Sequence, residues 1–329
     1  MNPTSEMIDL LRKSGSRRRV ESLDATAQLA VALTLPLRQG IMSGDIYSDI
    51  FERITLERGA IPEWPLDLLA PGTEKDHVAY TTPGHGRIPE RTVEADFVMV
   101  PTYEISNSID WLLRHARDAR WDLVDRATQV FEAGFVEKLN SDAWSTILSA
   151  AVDRNIMVYD NAANAGQFTK RLVSLMKTVM RRNGGGNSTS TNRGMLTDLY
   201  VSPEAMEDIR DWGVDQIDET TRREIFTAED GRINRIFSVN LHDIDELGVS
   251  QKFQTFFTSD LNGGLQASDV ELVIGLDLAK NDCFVMPIRE ELQVSEDDML
   301  ARQRRAGLFG HLEVGFGALD NRRCIAGSF

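Results

Sequence analysis

Residues 72–103, GTEKDHVAYTTPGHGRIPERTVEADFVMVPTY, decide how the rest of the chain is read. His77–Thr82 is rich in strand formers, Pro83-Gly84-His85-Gly86 and Pro89 make a turn, and Thr92–Pro101 returns. On the return, Val93, Ala95, Phe97 and Met99 fall on one face, with Glu94 and Asp96 on the other. A strand covered on both sides would be apolar on both. The alternation therefore predicts one face toward water or a partner. An isolated two-stranded ribbon is marginal in water, so a hairpin this long is either held by a neighbouring subunit or is an ornament. Assembly becomes the first question and catalysis the second.

The hairpin feeds directly into a charged amphipathic stretch. From Ser106 or Ser108, the residues Ile109, Leu112, Leu113, Ala116, Ala119, Leu123, Ala127, Val130 and Phe131 follow i, i+3, i+4 spacing. The spacing predicts a helix as far as Leu139, roughly 45 Å long at about 1.5 Å per residue. Arg114, Asp118, Asp122, Asp125 and Arg126 occupy its other side. A second, short helix is expected over Ser141–Ala151, then a strand at Ile156–Tyr159.

Outward from this centre, residues 1–20 are polar, with a basic knot of Arg12, Lys13, Arg17, Arg18 and Arg19. They read as an extended arm, either solvated or in electrostatic contact with nucleic acid or an acidic neighbour. Asp24 starts a helix to Leu35, ended by Pro36 and Gly40. Ile46, Ile50, Phe51 and Ile54 suggest another helix over residues 45–58. Beyond the centre, Phe168–Arg182 carries an apolar stripe of Leu172, Leu175, Met176 and Val179. The loop GGGNSTSTN (184–192) precedes a strand at Leu196–Val201. Ser202-Pro203-Glu204 opens a helix with Ser202 as N-cap and Pro203 in the first turn. Ile233–Asn240, Phe253–Thr258, Val270–Leu276 and Cys283–Ile288 read as strands, and Asn262-Gly263-Gly264 as a turn. Ser295–Arg305 reads as a further helix or long strand, and the chain ends in alternating strands.

The bulk composition narrows the function classes. The chain has 329 residues and a net charge of −15. That length supports one elaborate domain or a few sub-domains, and an acidic surface argues against nucleic acid covering the whole of it. Cys283 and Cys324 form neither a metal spacing nor a disulfide framework, which fits a reducing compartment. No apolar run approaches a membrane span, and MNPTSEMIDL lacks the pattern of a signal peptide. The expectation is a soluble chain made in the cytoplasm, with no membrane partner.

No catalytic constellation stands out. His77, His85, His115, His242 and His311 are scattered, none at ligand spacing from another His or a Cys. GGGNSTSTN lacks the Lys-Ser/Thr of a P-loop, and a strand follows it instead of a helix. Glu290-Glu291 and Glu296-Asp297-Asp298 lack the glycine and spacing of a calcium loop. No cofactor and no metal are expected.

In its order of elements the chain resembles the major capsid proteins of tailed bacteriophages, the Hong Kong 97 fold. Three stretches carry the likeness: the hairpin running into a helix (Gly72–Leu139), LYVSPEAMEDI at Leu199–Ile209, and VSEDDMLARQRRAGLFGHLEVGFGALDNRRCIAGSF at Val294–Phe329. The resemblance implies an α+β fold with an N-terminal arm at 1–50 and a linker at 51–71. The extended E-loop would span 72–104, and the P-domain with its spine helix 105–158. An A-domain would span 159–293, with a return to the P-domain at 294–329. It implies E-loop contacts to a neighbour through Lys75, Tyr80, His85, Arg87 and Arg91, and arm contacts through Arg12, Lys13, Arg17, Arg18 and Arg19.

The resemblance also implies self-assembly into pentamers and hexamers of an icosahedral virion head, built in the host bacterial cytoplasm. Double-stranded DNA would lie nonspecifically on the inner face. A separate scaffolding protein, a portal and a decoration protein are the expected partners. Some members crosslink an E-loop Lys to an Asn of a neighbour. Here Lys75 is the only Lys in the hairpin and no Asn occurs from Val294 to Asp320, so noncovalent stabilisation is expected. The alternatives are an encapsulin-like cellular shell and, from another class, an enzyme with a dispersed site. Residues 1–20 are not expected to form the apolar-faced helix that cargo docking favours.

Overall fold

The computed structural model describes residues 5–14, 24–34, 37, 47–57, 59–65, 97–118, 121–161, 166–183, 194–212, 235–265, 270–279, 283–296, 300 and 303–329. In chain order the helices are α1 Ser5–Ser14, α2 over residues 24–34, α3 Tyr47–Ile50, α4 Leu113–Arg117, α5 Trp121–Asp153, α6 Lys170–Asn183 and α7 Pro203–Asp211. The strands are β1 Glu52–Thr55, β2 Glu63–Pro65, β3 Phe97–Met99, β4 Tyr103–Leu112, β5 Met157–Tyr159, β6 Asp198–Val201, β7 Arg235–Ile236, β8 Val239–Asp243, β9 Leu272–Leu276, β10 Phe284–Glu296, β11 Arg305–Val314, β12 Gly317–Ala318 and β13 Cys324–Ser328. They fall into two compact units. The first is Met1–Pro62, Met99–Ala143 and Val285–Gly317; the second is Glu63–Val98, Trp144–Phe284 and Ala318–Phe329.

The first unit is a sheet ordered β1-β10-β11-β4, with β12 beside β10. β1 runs parallel to β10, while β10–β11 and β11–β4 are antiparallel. The last pairing is unbroken from Arg305↔Leu112 to Val314↔Tyr103. On the face of this pair that holds Ile105, Trp111, Leu308 and Leu312, all four are buried. The Trp121–Ala143 part of α5 covers that face, burying Val124, Phe131, Phe135 and Leu139 at helical spacing. Asn107 Nδ2 donates to the Phe131 carbonyl at 3.2 Å. Toward the N-terminus, α1 packs on α4 and buries Leu11, and Phe316 meets Tyr47 and Phe51 edge-on.

The second unit is a six-stranded sheet ordered β5-β13-β9-β6-β8-β7. β6, β9 and β13 are buried at every residue, the pattern of strands covered on both faces. One face takes α6 and α7 through Leu172, Val173, Met176, Ala205 and Ile209, packed with Leu199, Val273 and Ile325. The Trp144–Asp153 part of α5 lies on the other, where Trp144 meets Tyr200 edge-on at 5.1 Å and Cys324 Sγ donates to the Ile147 carbonyl. Gly275 and Gly327 keep this packing close. A Cβ at Gly275 would stand 2.5 Å from Leu196 Cδ1.

Several sequence expectations need correction. Residues 103–112 are a strand, and the long helix starts at Trp121 instead of near Ser106. The short apolar run Ile109, Leu112, Leu113 fits a helical period, but Ile105 and Trp111 are buried on one side while Glu104, Ser106, Ser108 and Asp110 are exposed. That is period two, and ten consecutive partners on β11 fix it. The helices expected to end at Leu139 and resume at Ser141 are one, 33 residues long, because Asn140 and Ser141 do not break a helix packed on both sides of them. Within 45–58 the described residues, 47–57, form the short α3 and then β1, which the parallel partner β10 draws into extended backbone. Phe253–Thr258 is helical, since Phe253 and Phe257 bury together at i, i+4. In Ser295–Arg305, β10 ends at Glu296 and β11 begins at Arg305. The arm is not wholly extended: Ser5–Ser14 is helical with an apolar side, which a predominantly polar composition concealed.

Candidate intersubunit surfaces

Most of the hairpin lies outside the described residues, and with it Lys75, Tyr80, His85, Arg87, Arg91 and the GGGNSTSTN loop. Its base is described. There β2 pairs with β3, whose alternation leaves Phe97 57% and Met99 62% exposed. Val98 and Val100 point to the other side; Val100 is buried, and its N–H donates to the Pro62 carbonyl at 3.0 Å. Two large apolar side chains in a row on one strand face form a surface that water disfavours. Of the arm residues, Arg12 and Lys13 are exposed on α1 and Arg12 lies 3.7 Å from Asp9, while Arg17, Arg18 and Arg19 fall outside the described residues.

A second surface was hidden from sequence reading by the helix assignment. β4 ends the strand order of its sheet and pairs only with β11 among the described residues. Ser108 shows the free side: its backbone N–H donates to the Asn107 side chain at 2.9 Å, not to β11. The outward face of the same strands is acidic. Glu104, Glu313 and Glu290 form a cross-strand row. Arg289 pairs with Glu313 at 3.2 Å and Arg305 with Asp110 at 2.8 Å, and His311 Nε2 stands 4.0 Å from Glu290. Phe309 stacks on His311 with ring centres 5.7 Å apart. The signal for this surface is the alternation of YEISNSIDWL itself.

Tyr103, at the start of β4, donates to Asp142 at 2.8 Å; burial and this carboxylate push its phenol up. In the second unit, burial alone would raise the Asp198 carboxyl. Hydrogen bonds from His242, Thr197 and Asn240 outweigh it and hold the group below the usual carboxylate range. Glu271 shows the opposite balance: burial raises it more than the hydrogen bond donated by Ser202 Oγ lowers it, and Glu204 and Asp208 add to the rise. Burial pushes the Cys324 thiol up to about 12, so it is not a thiolate nucleophile. Among the described residues no group of three His, Cys, Asp or Glu side chains converges to hold a metal, and no helix is long and apolar enough to cross a membrane.

No protein-family model matches the chain, and no curated protein matches its sequence. Solved structures match its fold. A chain of Microbacterium phage Oxtober96 superposes with a TM-score of 0.58 at 13% identity, over 88% of this chain and 91% of that one. The capsid asymmetric unit of cyanophage Pam1 gives 0.57 at 12% identity, over 85% and 88%. The capsid of an empty GTA particle gives 0.51 at 12% identity, over 85% and 88%. The chain therefore has the α+β capsid fold expected from the order of its elements.

Proposed function

We infer that the chain is a major capsid protein, a structural subunit that closes with copies of itself into the icosahedral, DNA-containing head of a tailed phage. One observation carries this reading: the capsid fold extends over almost the whole chain, not over one module of it. The free edge of β4 and the exposed Phe97 and Met99 give such a subunit what assembly needs, unpaired backbone groups and apolar area that a neighbour can cover. Each contact is weak and is multiplied over the shell.

In this reading the P-domain spans 105–158 with the return at 294–329 and the A-domain spans 159–293; the compact units follow a different division, with residues 144–158 and 318–329 in the second unit and 285–293 in the first. The E-loop crosses an adjacent copy, with Lys75, Tyr80, His85, Arg87 and Arg91 at the contact. Arg12, Lys13, Arg17, Arg18 and Arg19 serve the arm. A scaffolding protein, portal and decoration protein join the shell in the host cytoplasm, and DNA meets its inner face without sequence preference. Negative-stain microscopy of the protein, expressed alone and with a scaffold, tests the reading. Uniform polyhedral particles support it, and a small soluble oligomer under both conditions removes it.

An encapsulin-like shell is the second reading, and α1 bears on it. The helix absent from the sequence expectation exists, but its Leu11 is already covered within the first unit, where α1 packs on α4. It does not offer a bare apolar face to a cargo peptide.

A further inference from the structure

The second unit has a cavity of about 540 Å³ that none of the surfaces above uses. It flanks the starts of the parallel strands β6 and β8. One wall is the exposed side of α6, where Lys177 and Arg181 stand one helical turn apart. Leu196, Phe237 and Met195, the last 61% exposed, give it an apolar floor. Lys177 Nζ donates to the Phe237 carbonyl at 2.6 Å and keeps further protons to donate. No carboxylate of a described residue pairs with Arg181. Asp277 and Asp198, close to these walls in the fold, are already engaged. Asp277 accepts from the Met195 N–H and pairs with Arg323, and Asp198 is bonded to His242 and Asn240.

The far ends of the same two strands carry the complement. The turn after β8, residues 245–250, lies against the start of α7, and a Cβ at Gly248 would stand 3.4 Å from Glu204 Oε2. Glu204, Asp245 and Glu246 are exposed there, and Val249 beside them is 39% exposed. The cation nearest in sequence, Lys252, has its ammonium over the Phe253 ring, 5.9 Å from the centre. One end of β6 and β8 thus presents three carboxylates around an aliphatic side chain. The other presents two cations around an apolar hollow. β8 holds the two ends roughly 13 Å apart, at about 3.3 Å per residue. The turn is fixed to the wrong end of its own strand to fill its own cavity, so the occupant that matches in charge and in apolar shape is another copy.

We propose that the cavity receives the 245–250 turn of a second copy of this chain, with Val249 seated on Met195 and Phe237 and with Glu204, Asp245 and Glu246 facing Lys177 and Arg181. The contact is head-to-tail: each copy offers its turn to the next, the arrangement from which rings are built. It rests on the shell reading above and names one contact within it.

Cysteine pairs and charge exchange test it. Chains carrying Met195→Cys are mixed with chains carrying Val249→Cys, assembled, oxidised, and run on a non-reducing gel. Disulfide-linked dimers are expected in the mixture and not from either chain alone. Adding Lys177→Glu and Arg181→Glu to the first chain should cut their yield roughly tenfold. Adding Asp245→Lys and Glu246→Lys to the second as well should restore it. Both cysteines in one chain should give a ladder of linked copies; a fast-migrating monomer, meaning a link within one chain, overturns the proposal. So does the absence of any link in particles that micrographs show to be intact, or a yield that ignores both charge reversals. Reversed chains that assemble normally but retain less scaffold or DNA would give the cavity to those partners instead. If wild-type chains form no particles, the shell reading fails and takes this contact with it. Circular dichroism checks that the variants fold, and Thr178→Cys with Glu246→Cys is the replacement pair.

Discussion

Gly310 on β11 lies directly beneath the Phe131 ring: a Cβ at Gly310 would stand 2.5 Å from Phe131 Cζ. The sheet and the long helix approach closely only because this strand position is bare. Phe131 in turn packs edge-on against Phe135, with ring centres 5.1 Å apart, so it has little room to move. Gly310→Ala should therefore destabilise the first unit by about 1–3 kcal/mol, the usual cost of forcing extra volume into a packed core. Urea unfolding of the unassembled chain measures it. An unchanged midpoint would mean that the ring swings aside freely.

Ser108→Pro separates folding from assembly. The Ser108 N–H does not pair with β11, so its loss costs the subunit little. It does remove a donor from the free edge of β4. The variant should unfold within about 0.5–1 kcal/mol of wild type, yet assemble poorly or not at all. Sedimentation of particles against free subunits reads this, and wild-type yield would show that the edge carries no neighbour.

Glu271 makes the second unit sensitive to alkali. Its folded-state value is raised, chiefly by burial, so the folded chain holds the proton more tightly than the unfolded one. The stability it contributes is complete below about pH 4.3, the unfolded value, and is lost as pH rises through the raised folded value. Glu271→Gln keeps an acceptor for Ser202 and cannot ionise. It should flatten the fall in stability above pH 4.3 and equal or exceed wild type at pH 8. Chemical unfolding at intervals from pH 4.5 to 8 decides the matter, and parallel curves for the two chains would remove Glu271 as the cause.

Asp198 has the reverse sign. Its folded value is depressed, so its contribution is present above about pH 3.9, the unfolded value, and is lost as pH falls through the folded one. Asp198→Asn weakens the bonds from His242 and Asn240 and should cost about 1–3 kcal/mol at pH 7. The difference from wild type should narrow in acid. A cost that stays constant down to pH 3 would point to packing instead of charge.

Assembled particles heated in denaturing gel buffer should run as single chains. Lys75 is the one hairpin lysine, and no Asn lies between Val294 and Asp320. A ladder of covalent oligomers would refute this.

Much of the second unit was legible in the sequence. The strand expected at Leu196–Val201 forms over Asp198–Val201, and the Ser202 cap and the helix behind it stand as expected: Ser202 Oγ accepts from the Ala205 N–H, and Pro203 opens α7. So do the amphipathic α6 and the apolar strands β9 and β13. These features are local. A cap needs a hydroxyl three residues before its donor, and a strand buried on both faces is an unbroken apolar run. The order of these elements was enough to suggest the capsid fold.

What the sequence left open was decided at long range. Tyr103–Leu112 has apolar residues that satisfy two periods at once, and the choice between them belongs to Arg305–Val314, some 200 residues away, whose backbone pairs with all ten. The Ser5–Ser14 helix packs on α4 and has Leu11 buried; with a polar composition and ten residues it has little reason to form alone. The amino-acid pattern determined which segments could be helix or strand. Tertiary pairing determined which they became, because hydrogen bonds and burial supplied by distant residues exceed the small local preferences that separate the two.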